Sequence, residues 1–150
     1  ITIIVNILII NGPNLNLLGE REQSQYGSIT FNELKKKCLE KSKELKINLD
    51  FKQSNIEGEI VTIIQDARNV YDGIIINAAG FTHTSVAIRD ALAIFRKPSI
   101  ELHISNIYKR EEFRQKSMIS GVVTGVICGL GANGYILAIN SMQELIKNGN

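Results

Sequence analysis

The sequence predicts an α/β domain built on a parallel β-sheet with helices packed on both faces. Two observations predict it. Short apolar, β-branched runs alternate with stretches of helical periodicity almost to the end of the chain. The 150 residues are 44% hydrophobic with no low-complexity tract, which suits one domain burying roughly 68–70% of its unfolded surface.

Residues 3–10 read as a buried first strand. Thr30-Phe31-Asn32-Glu33 has the form of a capping box and opens a helix on which Phe31, Leu34, Cys38 and Leu45 recur at helical spacing. Residues 47–51 form a second strand whose polar interleaving suits an edge. Ser54-Asn55-Ile56-Glu57 is a second capping box, leading a helix with Ile60, Ile63, Ala67 and Val70 on one face. Residues 73–76 make the third strand, 84–95 a helix and 98–102 the fourth strand. A charged helical turn over 110–118 leads to a fifth strand over 122–128, and a last helix spans 133–146. Such alternation argues for a parallel sheet covered on both faces. Five strands in one 150-residue domain favour a flavodoxin-like, three-layer arrangement with strand order 2-1-3-4-5. Ligands in such sheets bind beyond the carboxyl ends of the strands, near the point where strand order reverses.

The residues after each predicted strand fit that rule. Strand one ends in Asn11-Gly12-Pro13-Asn14, strand two in Gln53-Ser54-Asn55 and strand three in Asn77. Strand four ends in Glu101, His103, Ser105 and Asn106. Both histidines of the chain, His83 and His103, fall on this rim beside Asn and Ser donors.

The loop from Asn11 to Gly27 is much longer than the ~2–6 residues that usually join a strand to a helix. Gly19 and Gly27 bracket its outer part and offer hinges, and Arg21 and Tyr26 share the stretch between them. A guanidinium near a phenol favours phenolate, which turns a poor base into a usable one. The loop alone leaves two readings open, a lid carrying a base or a solvated loop whose Tyr26 covers a core edge.

Other signals exclude function classes. Gly129-Leu130-Gly131-Ala132-Asn133-Gly134 matches the dinucleotide fingerprint GxGxxG. Too little chain follows for a second strand and an acidic residue about 20 positions on, so a tight turn with close helix packing is the better reading. No Gly-Lys-Ser/Thr phosphate loop occurs. A net charge of +2 is too mild to argue for nucleic acid, and Lys35-Lys36-Lys37 reads as a solvated helix face. The opening apolar stretch is short, carries Asn6 and lacks a basic flank, so neither a signal peptide nor a membrane span is expected. Cys38 and Cys128 stand singly, without metal-ligand spacing, and suit a reducing cytoplasm.

Six blocks in register over most of the chain carry a resemblance. They are NGPNLNLLGERE with the following YG, QSNIEGE, NAAGFTHTSVAIRDAL, ELHISN, REEFR and GLGANGY. Together they resemble the type II 3-dehydroquinate dehydratases. The resemblance implies a flavodoxin-like enzyme of trimers packed into a dodecamer. It implies reversible dehydration of 3-dehydroquinate to 3-dehydroshikimate in the shikimate or quinate pathway, without metal or organic cofactor. Position by position, it makes Tyr26 the base that removes the proton beside the ketone, with Arg21 supporting it. His103 becomes the acid that protonates the departing hydroxyl, oriented by Glu101. Asn14 helps to position a water over the developing enolate. Asn77 and the backbone amides of Ile104 and Ser105 hold the substrate carboxylate and ring, while His83 and Arg114 bind the ring hydroxyls.

Asp90 is implied to complete the site of an adjacent chain. It falls about two turns beyond His83 on the following helix, a position that points away from the rim within one subunit. The alternative is a surface residue paired with Arg89 or Arg96.

The chemistry agrees with these roles, since a weakly acidic carbon proton and a poor leaving group call for a base and an acid together. A lysine Schiff base would need a desolvated amine, and only Lys52, at the end of an edge strand, is a weak candidate. The chain departs from the family pattern at Gln23-Ser24, where a proline often follows the glutamate, and at Tyr108-Lys109, often His-Ala. These changes bear on lid stiffness and local docking geometry. Binding modules of the same fold fit less well. A receiver would need clustered acids where Asn11 and Asn14 stand, and a flavin site would need a Ser/Thr/Gly-rich loop where Pro13-Asn14-Leu15 stands.

Overall fold

Alternating side chains along the strands divide the hydrophobic residues into two cores, one on each face of a single sheet. The computed structural model of the protein describes residues 3–20 and 22–149. Its sheet holds β1 (Asn6–Asn11), β2 (Asn48–Gln53), β3 (Gly73–Asn77), β4 (Ser99–His103) and β5 (Gly125–Cys128). All neighbours are parallel and the order is β2-β1-β3-β4-β5, as the sequence predicts. The helices are a four-residue turn α1 (Gln23–Tyr26), then α2 (Phe31–Leu45), α3 (Glu57–Ala67), α4 (Val86–Phe95) and α5 (Asn133–Lys147). Ile7, Ile9, Ile75, Ile100 and Leu102 face α2 and α5, whereas Leu8, Ile10, Ile74 and Ile76 face α3 and α4. Among the described residues, no helix is long and apolar enough to cross a membrane.

Several boundaries differ from the sequence reading, each for a local reason. β1 begins at Asn6 rather than residue 3, because its partner β2 opens opposite it at Asn48 and Ile3 and Ile4 project exposed. β2 runs two residues further, to Gln53. β3 and β4 each extend one residue, so that Asn77 and His103 finish their strands as side chains on the rim. The capping box at Thr30 forms, with Glu33 answering it. The one read at Ser54 does not: its hydroxyl accepts from the Ile56 amide at 3.0 Å, and α3 starts a residue later without a side-chain cap. Ile64 replaces Ile63 on the buried face of α3, and Val70 lies past the helix, exposed. Ser85 caps α4, which starts at Val86 rather than 84. In place of one helical turn over 110–118 stands a short 3-10 turn, Glu112–Arg114, preceded by another at Ile107–Lys109. A third, Ser120–Val122, occupies the predicted start of β5.

Two features bring the strand ends together. The Gly12 amide donates to the Asn77 carbonyl at 2.7 Å, and a Cβ at Gly12 would lie 2.4 Å from the Ala78 carbonyl oxygen. Only glycine lets the backbones meet there. The loop after β1 is pinned from β2: the Gln53 side-chain amide donates to the Gly12 carbonyl, and the Asn55 side chain accepts from the Asn14 amide.

Candidate active site

The carboxyl ends of β1, β3 and β4 open into one cavity, where the residues anticipated from sequence gather. Asn14, Tyr26, Asn77, His83, His103, Ile104, Ser105 and Arg114 all line it. Glu101 lies behind His103, fully buried. Arg21 lies outside the described residues. Asp90 is exposed on α4 and does not line the cavity, as its helical position foretold. No ion pair joins Asp90 to Arg89 or Arg96 among the described residues. Arg89 instead donates to the Met118 carbonyl at 2.7 Å.

Arg110 is a cavity residue that sequence reasoning did not single out. Its Nη1 donates to the Tyr26 hydroxyl at 2.6 Å, and its guanidinium lies 5.3 Å from the Tyr26 ring centroid. Glu22 accepts from Nη2 at 3.2 Å, and the Glu111 carboxylate stands 3.8 Å from Nε. The side chain is only 6% exposed, so its charge is little screened by solvent. The available signal was the REEFR block, in which Arg110 and Arg114 stand four residues apart shortly after the rim serine.

A polar wedge supports the other side. One Glu101 oxygen meets the His103 ring, and the other accepts from the Ser117 hydroxyl at 3.1 Å and from Ser120. Burial pushes the Glu101 carboxyl up, but the bonds from His103, Ser120 and Ser117 prevail and hold it below the ordinary glutamate value. His83 and His103 stack at 6.4 Å between ring centroids. His83 Nδ1 donates to the Lys116 carbonyl at 2.7 Å, leaving Nε2 as the acceptor of the neutral ring. Burial lowers the His83 pKa, and the charges of His103 and Arg114 add to the shift against the Lys116 bond. Base candidate and acid candidate thus face one space from opposite supports.

The glycine-rich segment behaves as a turn. Gly129 and Gly131 have φ of 86° and 65°, and a Cβ at Gly134 would come within 2.9 Å of Leu102 Cδ1. Both cysteines are unpaired. Among the described residues no group of three or more His, Cys, Asp or Glu is arranged to hold a metal ion.

Comparison with known proteins agrees with this geometry. The family model for dehydroquinase class II matches residues 5–143. The 3-dehydroquinate dehydratase of Endomicrobium trichonymphae is 54% identical over 93% of this chain and 98% of its own length. That of Campylobacter jejuni is 52% identical over 96% and 92%. The crystal structure of type II dehydroquinase from Butyrivibrio crossotus superposes with a TM-score of 0.92 at 46% identity, covering 93% of this chain and 98% of that one. With the family model spanning nearly the whole chain and both strand order and rim chemistry in agreement, the chain belongs to the class II dehydroquinase family.

Proposed function

We propose a division of labour for the reaction that this family membership carries, the dehydration of 3-dehydroquinate to 3-dehydroshikimate. Tyr26 takes the proton from the carbon beside the ketone, and the electron pair left behind forms the enolate. Collapse of the enolate expels the tertiary hydroxyl, which leaves as water with a proton from His103. Asn14 steadies a water at the enolate oxygen. Asn77 and the amides of Ile104 and Ser105 hold the substrate carboxylate, and His83 and Arg114 meet the ring hydroxyls. Arg21 and Arg110 serve Tyr26, since a cationic donor bonds an anionic oxygen more strongly than a neutral one. The observation that carries this assignment is the pair of Tyr26 on Arg110 and His103 on Glu101 lining one cavity.

Adding 3-dehydroquinate to the purified protein is expected to generate the ultraviolet absorbance of the enone product. Borohydride added with substrate is expected to leave activity intact. No lysine lines the cavity among the described residues, and Lys52 is exposed. Rapid covalent inactivation would instead demand a Schiff base and sink the enolate route.

The same reading makes the working enzyme a trimer-based dodecamer in the cytoplasm, with Asp90 entering the site of an adjacent chain. Val86, Asp90 and Ile94 stand four residues apart on one exposed face of α4, and Val86 and Ile94 are 51% and 50% exposed. An apolar stripe around a carboxylate suits a partner subunit better than water. Mixing inactive Tyr26→Phe and Asp90→Ala subunits is expected to restore activity in sites free of both defects. Reassembled mixtures that stay inactive, under conditions where wild-type chains recover, would exclude a shared site.

A further inference from the structure

Beneath the cavity a line of buried side chains runs from β2 to the turn after β3. Asn11 Nδ2 donates to the Lys52 carbonyl at 3.0 Å. Tyr135, fully buried on α5, donates its hydroxyl to Asn11 Oδ1 at 2.7 Å. Asn77 Nδ2 donates to the Tyr135 oxygen at 3.0 Å, and the Ala79 amide donates to Asn77 Oδ1 at 3.2 Å. Both ends are backbone groups with a single role, because a carbonyl only accepts and an amide only donates. They impose one direction on every bond between them. The Lys52 carbonyl fixes which end of the Asn11 amide faces Tyr135, so the phenol must donate to Asn11 and accept from Asn77.

We propose that Tyr135 and Asn11 are positioning residues that lock the Asn77 side-chain amide, leaving its second Nδ2 hydrogen for an anionic oxygen of the substrate. A flipped Asn77 would set Nδ2 against the Ala79 amide, donor to donor, and turn its Oδ1 to the phenol, whose single hydrogen cannot serve both Asn77 and Asn11, so one buried amide oxygen would lack a donor. Ala79 has φ 52°, a left-handed conformation costly for a residue with a Cβ. That turn brings its amide onto Asn77. Burial pushes the Tyr135 phenol above the ordinary tyrosine value, which keeps it a donor. The close approach at Gly134 seats the start of α5 against Leu102, next to the position from which Tyr135 reaches the rim. The glycine-rich turn therefore serves substrate binding indirectly.

The inference rests on the assignment of Asn77 to the substrate, and a double-mutant cycle separates the two. Tyr135→Phe is expected to raise KM about 10-fold, the scale of one hydrogen bond to a charged group, and to change kcat less. In an Asn77→Ala background the same substitution is expected to have no further effect on kcat/KM, because the amide it positions is gone. Asn11→Ala cuts the line at its other end and should behave alike. It takes the place of Tyr135→Phe in the cycle if that variant does not fold. Additive losses, or an unchanged KM in Tyr135→Phe, would overturn the positioning role. If Asn77→Ala by itself left kcat/KM intact, the assignment of Asn77 would be the one to fall.

Discussion

Replacing Tyr26 with Phe is expected to lower kcat by about 10²–10⁴-fold, the usual contribution of a general base, with little change in thermal stability. The substitution removes one oxygen from a half-buried side chain at the cavity mouth and leaves the core unaltered. Arg110→Ala is expected to cost a comparable factor in kcat, because the 2.6 Å bond to the phenol oxygen disappears with it. Steady-state kinetics beside a thermal melt test both. Near-normal kcat in Tyr26→Phe would move the base elsewhere. Full activity in Arg110→Ala would reduce the contact to packing.

Glu101→Ala carries the largest expected loss of stability, about 3–5 kcal/mol, since it removes one partner of a buried charged cluster. Native domains have only about 5–15 kcal/mol in all, so the melt should fall sharply. Glu101→Gln refines the test through pH. The folded carboxyl is held below its ordinary value, so its contribution is complete above the glutamate range and is lost as pH falls through the folded-state value. Wild-type protein should therefore lose stability more steeply than Glu101→Gln as pH falls below about 5, with no difference in slope above that. Equal slopes in urea denaturation would show that the wedge of His103, Ser117 and Ser120 does not favour the charged form.

Strand order was legible because apolar runs and helical repeats are local properties of the chain. Element ends were less so, because a strand stops where its neighbour stops. Asn6 opens β1 because Asn48 lies opposite it, a pairing invisible in either segment alone. The two predicted capping boxes make the same point. Thr30 finds Glu33, whereas the Ser54 hydroxyl is taken by the nearer Ile56 amide. In the site, residues at strand ends could be anticipated because the rim rule points at them. Arg110 could not, for its partner lies 84 positions away and the contact exists only once the loop after β1 meets the segment after β4. Ser117 and Ser120 carry no pattern of their own and gain meaning only from Glu101.

The alternation along β4 has a consequence for how this enzyme can vary. Ile100 and Leu102 point into the core beneath α5, while the intervening Glu101 and the terminal His103 point to the opposite face. Deleting or inserting one residue within the strand would exchange the two sets. Carboxylate and imidazole would enter hydrocarbon, and leucine would look into the cavity. Substitution can adjust this strand one side chain at a time, but a change in its length would dismantle the core and the Glu101–His103 pair together. Length variation among relatives should accordingly collect in loops away from β4, with the spacing between Glu101 and His103 held constant.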